Sequence, residues 1–291
     1  MDSKNVYQMV TDRIIAELEK GVVPWAKPWA GVRSGAYSRS TGKPYSLLNQ
    51  MLLGRPGEYL TWTQIKEAGG SVRKGEKSSF VVFWKQHITK ETDPTTGEEK
   101  EKKIPFLRYY NVFHIDQCEG ISAKYKAGDF TPAQPIETAE EISADYIRRE
   151  GVILRNVKGD RACYSPLSDT VTLPLMEQFP QIAEYYSTMF HELTHSTGHK
   201  SRLDRFTSGA AAAFGSGDYG REELVAEIGA AQILNICGIE TPGSFRNSAA
   251  YIKNWLDAIR GDNRLIVSAA GKAEKAVSLI LGDRGEEGAP C

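Results

Sequence analysis

The chain has 291 residues, of which 41% are hydrophobic and 25% charged, with 36 Lys+Arg against 37 Asp+Glu. This length supports one large domain or two ordinary ones with buried cores, and this balance excludes fibrous, disordered and membrane-embedded classes. No run approaches the roughly 20 apolar residues of a membrane-spanning helix, the first residues form no cationic-then-apolar leader, and Cys118, Cys163, Cys237 and Cys291 form no C-x-x-C pair, so a reducing, cytoplasmic setting is expected.

Along the chain, Val6, Met9, Val10, Ile14 and Leu18 recur near helical spacing and predict a helix over 5–20, stopped by Gly21 and Pro24. "PWAKPWA" and "GAYSRSTGKPYS" read as ordered, aromatic loops. "SLLNQMLLG" and "TWTQIKEAGG" read as short helices, and "SSFVVFWKQ" and "IPFLRYYNVFHI" as partner strands. The charged segment between them, "ITKETDPTTGEEKEKK", reads as an exposed hairpin loop. A linker is expected around "KYKAGDFTPAQPIET", followed by an amphipathic helix over about 137–150 and short strands in "VILRNV", "RACYSP" and "DTVTLP". A helix holding "HELTH" follows, and helices at about 219–237, 246–259 and 263–282 close the chain, an α+β order. Residues 1–130 hold 20 Lys+Arg against 15 Asp+Glu and four of the five tryptophans, whereas the remainder is acidic. The expectation is two domains with different partners, 1–130 and 131–291.

"MFHELTHSTGH" gathers three of the five histidines. On a helix, His191 and His195 stand one turn apart on one face and can share a metal ion, with Glu192 beside them as general base for a bound water. The plainer alternative is two histidines hydrogen-bonded inside a core. His199 is a weaker third ligand, because a continued helix would carry it about 6 Å beyond His195. The metzincin pattern H-E-x-x-H-x-x-G-x-x-H fits at Gly198 but meets Ser201 where histidine is required. In "GREELVAEIGAAQIL", Glu223 and Glu227 are again one helical turn apart, which suits one carboxylate as ligand and the next as orienter of a histidine. Thermolysin-like gluzincins share that spacing. The expected set is therefore His191, His195 and Glu223 on the metal, Glu227 behind them and His199 as a substrate contact. Glu222 stays open as an alternative ligand, and Glu227 as an exposed helix charge. Zinc is the expected ion, with Mn, Co or Ni able to occupy a His2Glu site. "DTVTLP" is the expected edge strand for a substrate backbone.

In the first part, Trp25, Trp29, Tyr37, Tyr45, Trp62 and Trp84 interleave with Lys27, Arg33, Arg39, Lys43, Arg73, Lys74 and Lys77. Aromatic faces that stack bases and cations that track phosphates fit single-stranded nucleic acid, although most of these rings could instead fill a core. The residues chosen for that role are Trp25, Trp29, Arg39, Lys43, Tyr45, Lys74 and Lys77.

"VPWAKPW", "STGKPYSLLNQMLL", "YLTWTQIKEAGGSVRKGEKSSFVVFWK" and "YYNVFHIDQCEG" resemble the N-terminal domain of ArdC/TraC-type antirestriction proteins. "HELTHSTGHKSRLDR" and "REELVAEIGAAQIL" are similar to their C-terminal zincin-like metallopeptidase domain. The resemblance implies a mixed α/β domain that binds single-stranded DNA joined to a gluzincin-type peptidase. It also implies carriage on conjugative plasmids and protection of incoming DNA from type I restriction. In the related IrrE/ImmA-like peptidases the ligand glutamate precedes a "GAA" run by six residues, which here implies Glu223. Two activities compete: a zinc protease acting on a DNA-bound protein such as a restriction subunit, and a protein that only occludes DNA, its metal site structural or vestigial.

Overall fold

Val6, Val10, Ile14 and Leu18 line one stripe of helix α1 (Ser3–Leu18) and are all buried. The computed structural model describes residues 3–26, 35–92, 99–124, 135–206, 217–240 and 249–282. After a single helical turn at Pro24–Ala26 come strand β1 (Ala36–Ser38), helix α2 (Leu47–Leu53), strand β2 (Gly57–Leu60) and helix α3 (Trp62–Glu67). Gly54 ends α2 at φ 61°, a left-handed cap that glycine adopts at no steric cost. Thr61 caps α3 reciprocally: its hydroxyl accepts from the Gln64 amide at 3.3 Å, and Gln64 Oε1 accepts from the Thr61 amide at 2.8 Å.

Strands β3 (Ser71–Val72), β4 (Ser79–Thr92), β5 (Glu99–His114) and β6 (Cys118–Glu119) complete the first half. One sheet has the order β1-β2-β5-β4, and β3 pairs with β6. The charged segment expected as a loop is largely strand, since β4 and β5 stay in register from Ser79↔Val112 to Thr92↔Glu99, and residues 93–98 lie outside the described ones. Antiparallel pairing satisfies the backbone without needing an apolar face, so a ribbon with water on both sides can run past the end of its hydrophobic stretch. Ile88 and Ile104 on that ribbon are exposed.

The second half opens with helix α4 (Pro135–Glu150) and strands β7 (Ile153–Val157), β8 (Cys163–Ser165) and β9 (Thr170–Pro174). Their order is β7-β9-β8, with β9 parallel to β7 and antiparallel to β8. "DTVTLP" is thus the central strand, paired with β7 along Thr170–Pro174 and with β8 over Thr170–Thr172, and not the substrate edge its position before the active helix suggested. Val171 and Leu173 anchor it in the core, and the turn at Asp169 (φ 47°) folds β8 onto its free side. Helices α5 (Ile182–Ser196), α6 (Gly217–Cys237), α7 (Ala249–Gly261) and α8 (Leu265–Leu281) follow.

Two large cores result, and the chain's halves share one of them. Leu224, Val225 and Ile228 of α6, Ile252, Trp255 and Ile259 of α7, and Ile266 and Ala270 of α8 pack with α1, α2 and Trp25. The other ends of α6 and α8, at Ile233, Leu234, Val277 and Ile280, pack with α4, α5 and β9. The expected linker lies mostly in residues 125–134, outside the described ones, while α6 and α8 contribute to both cores. Among the described residues no helix is long and apolar enough to cross a membrane.

Candidate metal centre

Helix α5 buries Tyr185, Tyr186, Met189, Phe190 and Leu193 on one side, and His191, on the opposite side by the helical period, is buried as well. It ends at Ser196: the Gly198 amide donates to His195 O at 2.8 Å and the His199 amide to Ser196 O at 3.0 Å, tightening the last turn. His199 therefore leaves the helix, and its Nδ1 lies 2.7 Å from Ser201 Oγ. Helix α6 crosses close by because Gly229 has no side chain. A Cβ there would fall 2.7 Å from Thr194 Cγ2. That close approach brings the acidic turn of α6 over the histidines.

His191 Nε2 and His195 Nε2 are 3.1 Å apart. Glu223 completes the triangle, its Oε2 3.4 Å from His191 Nε2 and its Oε1 3.4 Å from His195 Nε2. Two nitrogens held about 2.0–2.1 Å from one tetrahedral ion stand about 3.3 Å apart, so the edges of this triangle suit a single shared ion. These three residues form a cluster able to hold a metal among the described residues.

Behind the triangle each imidazole meets a second carboxylate through its other nitrogen. His191 Nδ1 lies 3.2 Å from Glu227 Oε1, within ion-pair distance although off the line of a hydrogen bond. His195 Nδ1 lies 3.5 Å from Glu222 Oε1. Glu222 is in turn gripped by Arg205, with Nη2 2.6 Å from Oε1 and Nε 3.1 Å from Oε2. Arg205 also donates to Thr194 O at 2.8 Å and Thr197 Oγ1 at 2.7 Å, locking it to the end of α5. Carboxylates in such positions fix the imidazole tautomer that leaves Nε2 free to bind metal. Glu227 stands where the spacing placed it, buried and not an exposed charge. The role of Glu222 was not legible: "REEL" shows two adjacent glutamates, and only Arg205, on a separate turn, distinguishes them.

Burial opposes charge on His195, but hydrogen bonds to Glu222 and Glu223 outweigh it and raise its pKa to about 10. Burial likewise raises the Glu223 carboxyl, yet the two histidines outweigh it and hold the group well below the usual carboxylate range. Glu192 is buried at 8% exposure and its charge acts on His195. Arg202, buried behind the same turn, pairs with Asp169 and donates to Ser196 O at 2.8 Å, bracing the end of α5 against the β8–β9 turn.

The residues chosen for nucleic acid fare differently. Trp25 is 3% exposed and packs in the core shared by α1 and α6, so it offers no face to a base. Tyr45, at 8%, stands edge-on to Tyr59 in a second cluster and is likewise removed from the surface. Both rings, in segments read as loops, are covered by helices and strands distant in sequence, so neither serves as a base-stacking surface. Arg39 is bound to the buried carboxylate of Glu58 and donates to Ser122 O at 2.8 Å. Lys43, Lys74 and Lys77 are exposed, and Trp29 lies outside the described residues. Among the described residues the exposed tryptophans are instead Trp62 and Trp84.

Residues 4–113 match the family described as the N-terminal domain of anti-restriction factor ArdC, and residues 140–272 match a zincin-like metallopeptidase family. Two Escherichia coli proteins named DNA primase TraC are 34% and 33% identical over 96% of this chain, which spans only 27% and 20% of their lengths. An uncharacterized protein of Sinorhizobium fredii is 32% identical over 93% of this chain and 90% of its own. Two crystal structures of the antirestriction ArdC protein from the R388 plasmid are also similar. The metal-free one aligns with a TM-score of 0.70 at 39% identity, covering 94% of this chain and 96% of that one. The Mn(II)-bound one aligns with a TM-score of 0.71 at 35% identity, covering 99% and 100%. An ArdC N-terminal domain followed by a zincin-like domain, matched from end to end, places this chain in the ArdC antirestriction family.

Proposed function

We propose that the protein binds single-stranded DNA and carries a His2Glu metallopeptidase centre, and that it protects DNA entering a cell on a plasmid from type I restriction. The observation that carries the catalytic half is the triangle of His191 Nε2, His195 Nε2 and Glu223 oxygens with edges of 3.1 to 3.4 Å, backed by a carboxylate behind each imidazole. His191, His195 and Glu223 hold the ion. Zinc suits the donor set, and manganese, seen in the Mn(II)-bound relative, competes according to supply. When bound, such an ion supplies Lewis acidity and a water activated at neutral pH. Glu192, adjacent to His191 and screened from solvent, takes the proton from the attacking water and delivers it to the leaving amine. Glu227 and Glu222 keep the two imidazoles in their ligand tautomer. His199, off the end of α5, contacts the substrate. With β9 central, the antiparallel edge strand β8 is the place for a substrate backbone to add. A protein bound to the same DNA, such as a restriction subunit, fits as substrate, because DNA binding raises its local concentration.

A second reading assigns protection to DNA occlusion alone, with the metal site structural. Transfer of a plasmid into a restricting recipient separates the two. Wild type should restore transfer and E192A should not, while the variant keeps its metal. Equal protection by E192A would place the function in DNA occlusion.

A further inference from the structure

A concavity of about 460 Å³ lies apart from the metal centre, where α1 and β4 of the first half meet α6 and α8 of the second. Small-ligand clefts span roughly 300–1,000 Å³. On one wall Tyr7 and Trp84 meet edge to face, ring centroids 6.4 Å apart at 65°. Trp84 stays 44% exposed, an indole left in contact with water beside a cleft. Around these rings the cleft is also lined by Arg221, Arg264 and Lys272, all exposed, with Asp262 as the one carboxylate among the lining residues. The Arg264 guanidinium sits 5.4 Å over the Tyr7 ring, and Arg221 pairs with Asp262 at 3.0 Å. Three cations against one anion, set around two rings, match one nucleotide unit: a planar base for the rings and phosphates for the cations. An acidic peptide would satisfy the cations but leave the rings without a planar partner.

We infer that this cleft holds a segment of single-stranded nucleic acid, with Trp84 stacking a base and Arg264 and Lys272 meeting the flanking phosphates. The inference rests on the single-strand reading above and deepens it. The strand crosses from β4 onto α8, so its binding site belongs to both halves of the chain and is not confined to residues 1–130. Arg264, already stacked on Tyr7, is held ready for phosphate at little further entropic cost.

The test uses the full chain and a fluorescein-labelled oligothymidylate, titrated by anisotropy over a salt series. W84A should bind about tenfold more weakly or worse, whereas W84F, which keeps a stacking ring, should retain most of the affinity. R264Q/K272Q should lower the slope of log affinity against log salt by about 1.4, or roughly 0.7 for each lost phosphate contact. Unchanged metal loading of each variant, read on the same preparations, reports that α6 is still folded. Wild-type binding with unaltered affinity and slope in both W84A and R264Q/K272Q would overturn the cleft while leaving the single-strand reading intact. Loss of polyglutamate binding with oligothymidylate binding preserved would also overturn it, in favour of an acidic peptide. A wild type that ignores the oligonucleotide would overturn the single-strand reading, and the cleft with it.

Discussion

The metal centre and the Tyr7–Trp84 cleft are built in opposite ways. Every donor of the centre lies on one of two helices, with His191 and His195 a turn apart on α5 and Glu222, Glu223 and Glu227 within two turns on α6. Helical period alone puts these groups on common faces, and one close packing contact, Gly229 on Thr194, brings the faces together. The cleft draws Tyr7, Trp84, Arg221, Arg264 and Lys272 from four elements scattered along the chain. No local period relates them. A site whose donors follow helical periods is readable from the sequence, and one assembled between distant elements is not.

The contrast can be broken in several places. Replacing His195 with alanine removes one corner of the triangle, and metal binding should fall below detection at micromolar protein by competition with a chelator; undiminished binding would mean the triangle is not the site. Glu222→Gln should cost about 10–100-fold in metal affinity by the same assay, as should Glu227→Gln, because each imidazole loses its orienting carboxylate. An effect of Glu227→Gln with none from Glu222→Gln would remove the Arg205–Glu222 pair from the site.

Packing gives the next contrast. Gly229→Val should lower unfolding stability by about 1–3 kcal/mol and weaken metal binding in parallel, since its side chain must push α5 from α6. Gly271→Ala, within α8 where a Cβ meets nothing within 4 Å, should instead raise stability by about 0.5–1 kcal/mol in urea unfolding. The smallest effect concerns pH. Burial raises the Asp169 carboxyl, but hydrogen bonds from Arg202 and Tyr164 outweigh it and depress its pKa. Its contribution is therefore present above the unfolded carboxylate value of about 3.9 and is lost as pH falls through the depressed folded value. Acid unfolding of Asp169→Asn should lack that component, visible as a shallower loss of stability below about pH 4 than in wild type.

The sequence pattern foretold the helices and most strands, and it placed His191, His195, Glu223 and Glu227 on faces that the structure brings together. Its failures are all non-local. The position of "DTVTLP" just before the active helix suggests an edge strand, but whether a strand has one neighbour or two is decided by the turn at Asp169 and the pairing with β7. Trp25 and Tyr45 sit in turn-rich segments that read as surface, yet helices from the far end of the chain cover Trp25 and a sheet covers Tyr45. The +5 charge of residues 1–130 predicts a domain with a partner of its own and says nothing of what packs against it. The shared core of α1, α6, α7 and α8 gives that half a wall it does not itself encode.

The most direct test of the central claim is the metal content of wild type, E223Q and E222Q, each loaded with zinc or manganese and stripped of loosely held ions. The geometry predicts one ion per chain in wild type, almost none in E223Q, and an ion in E222Q that is held more weakly but still reaches one per chain at higher metal. A full complement in E223Q, with none in E222Q, would contradict the assignment and make Glu222 the ligand.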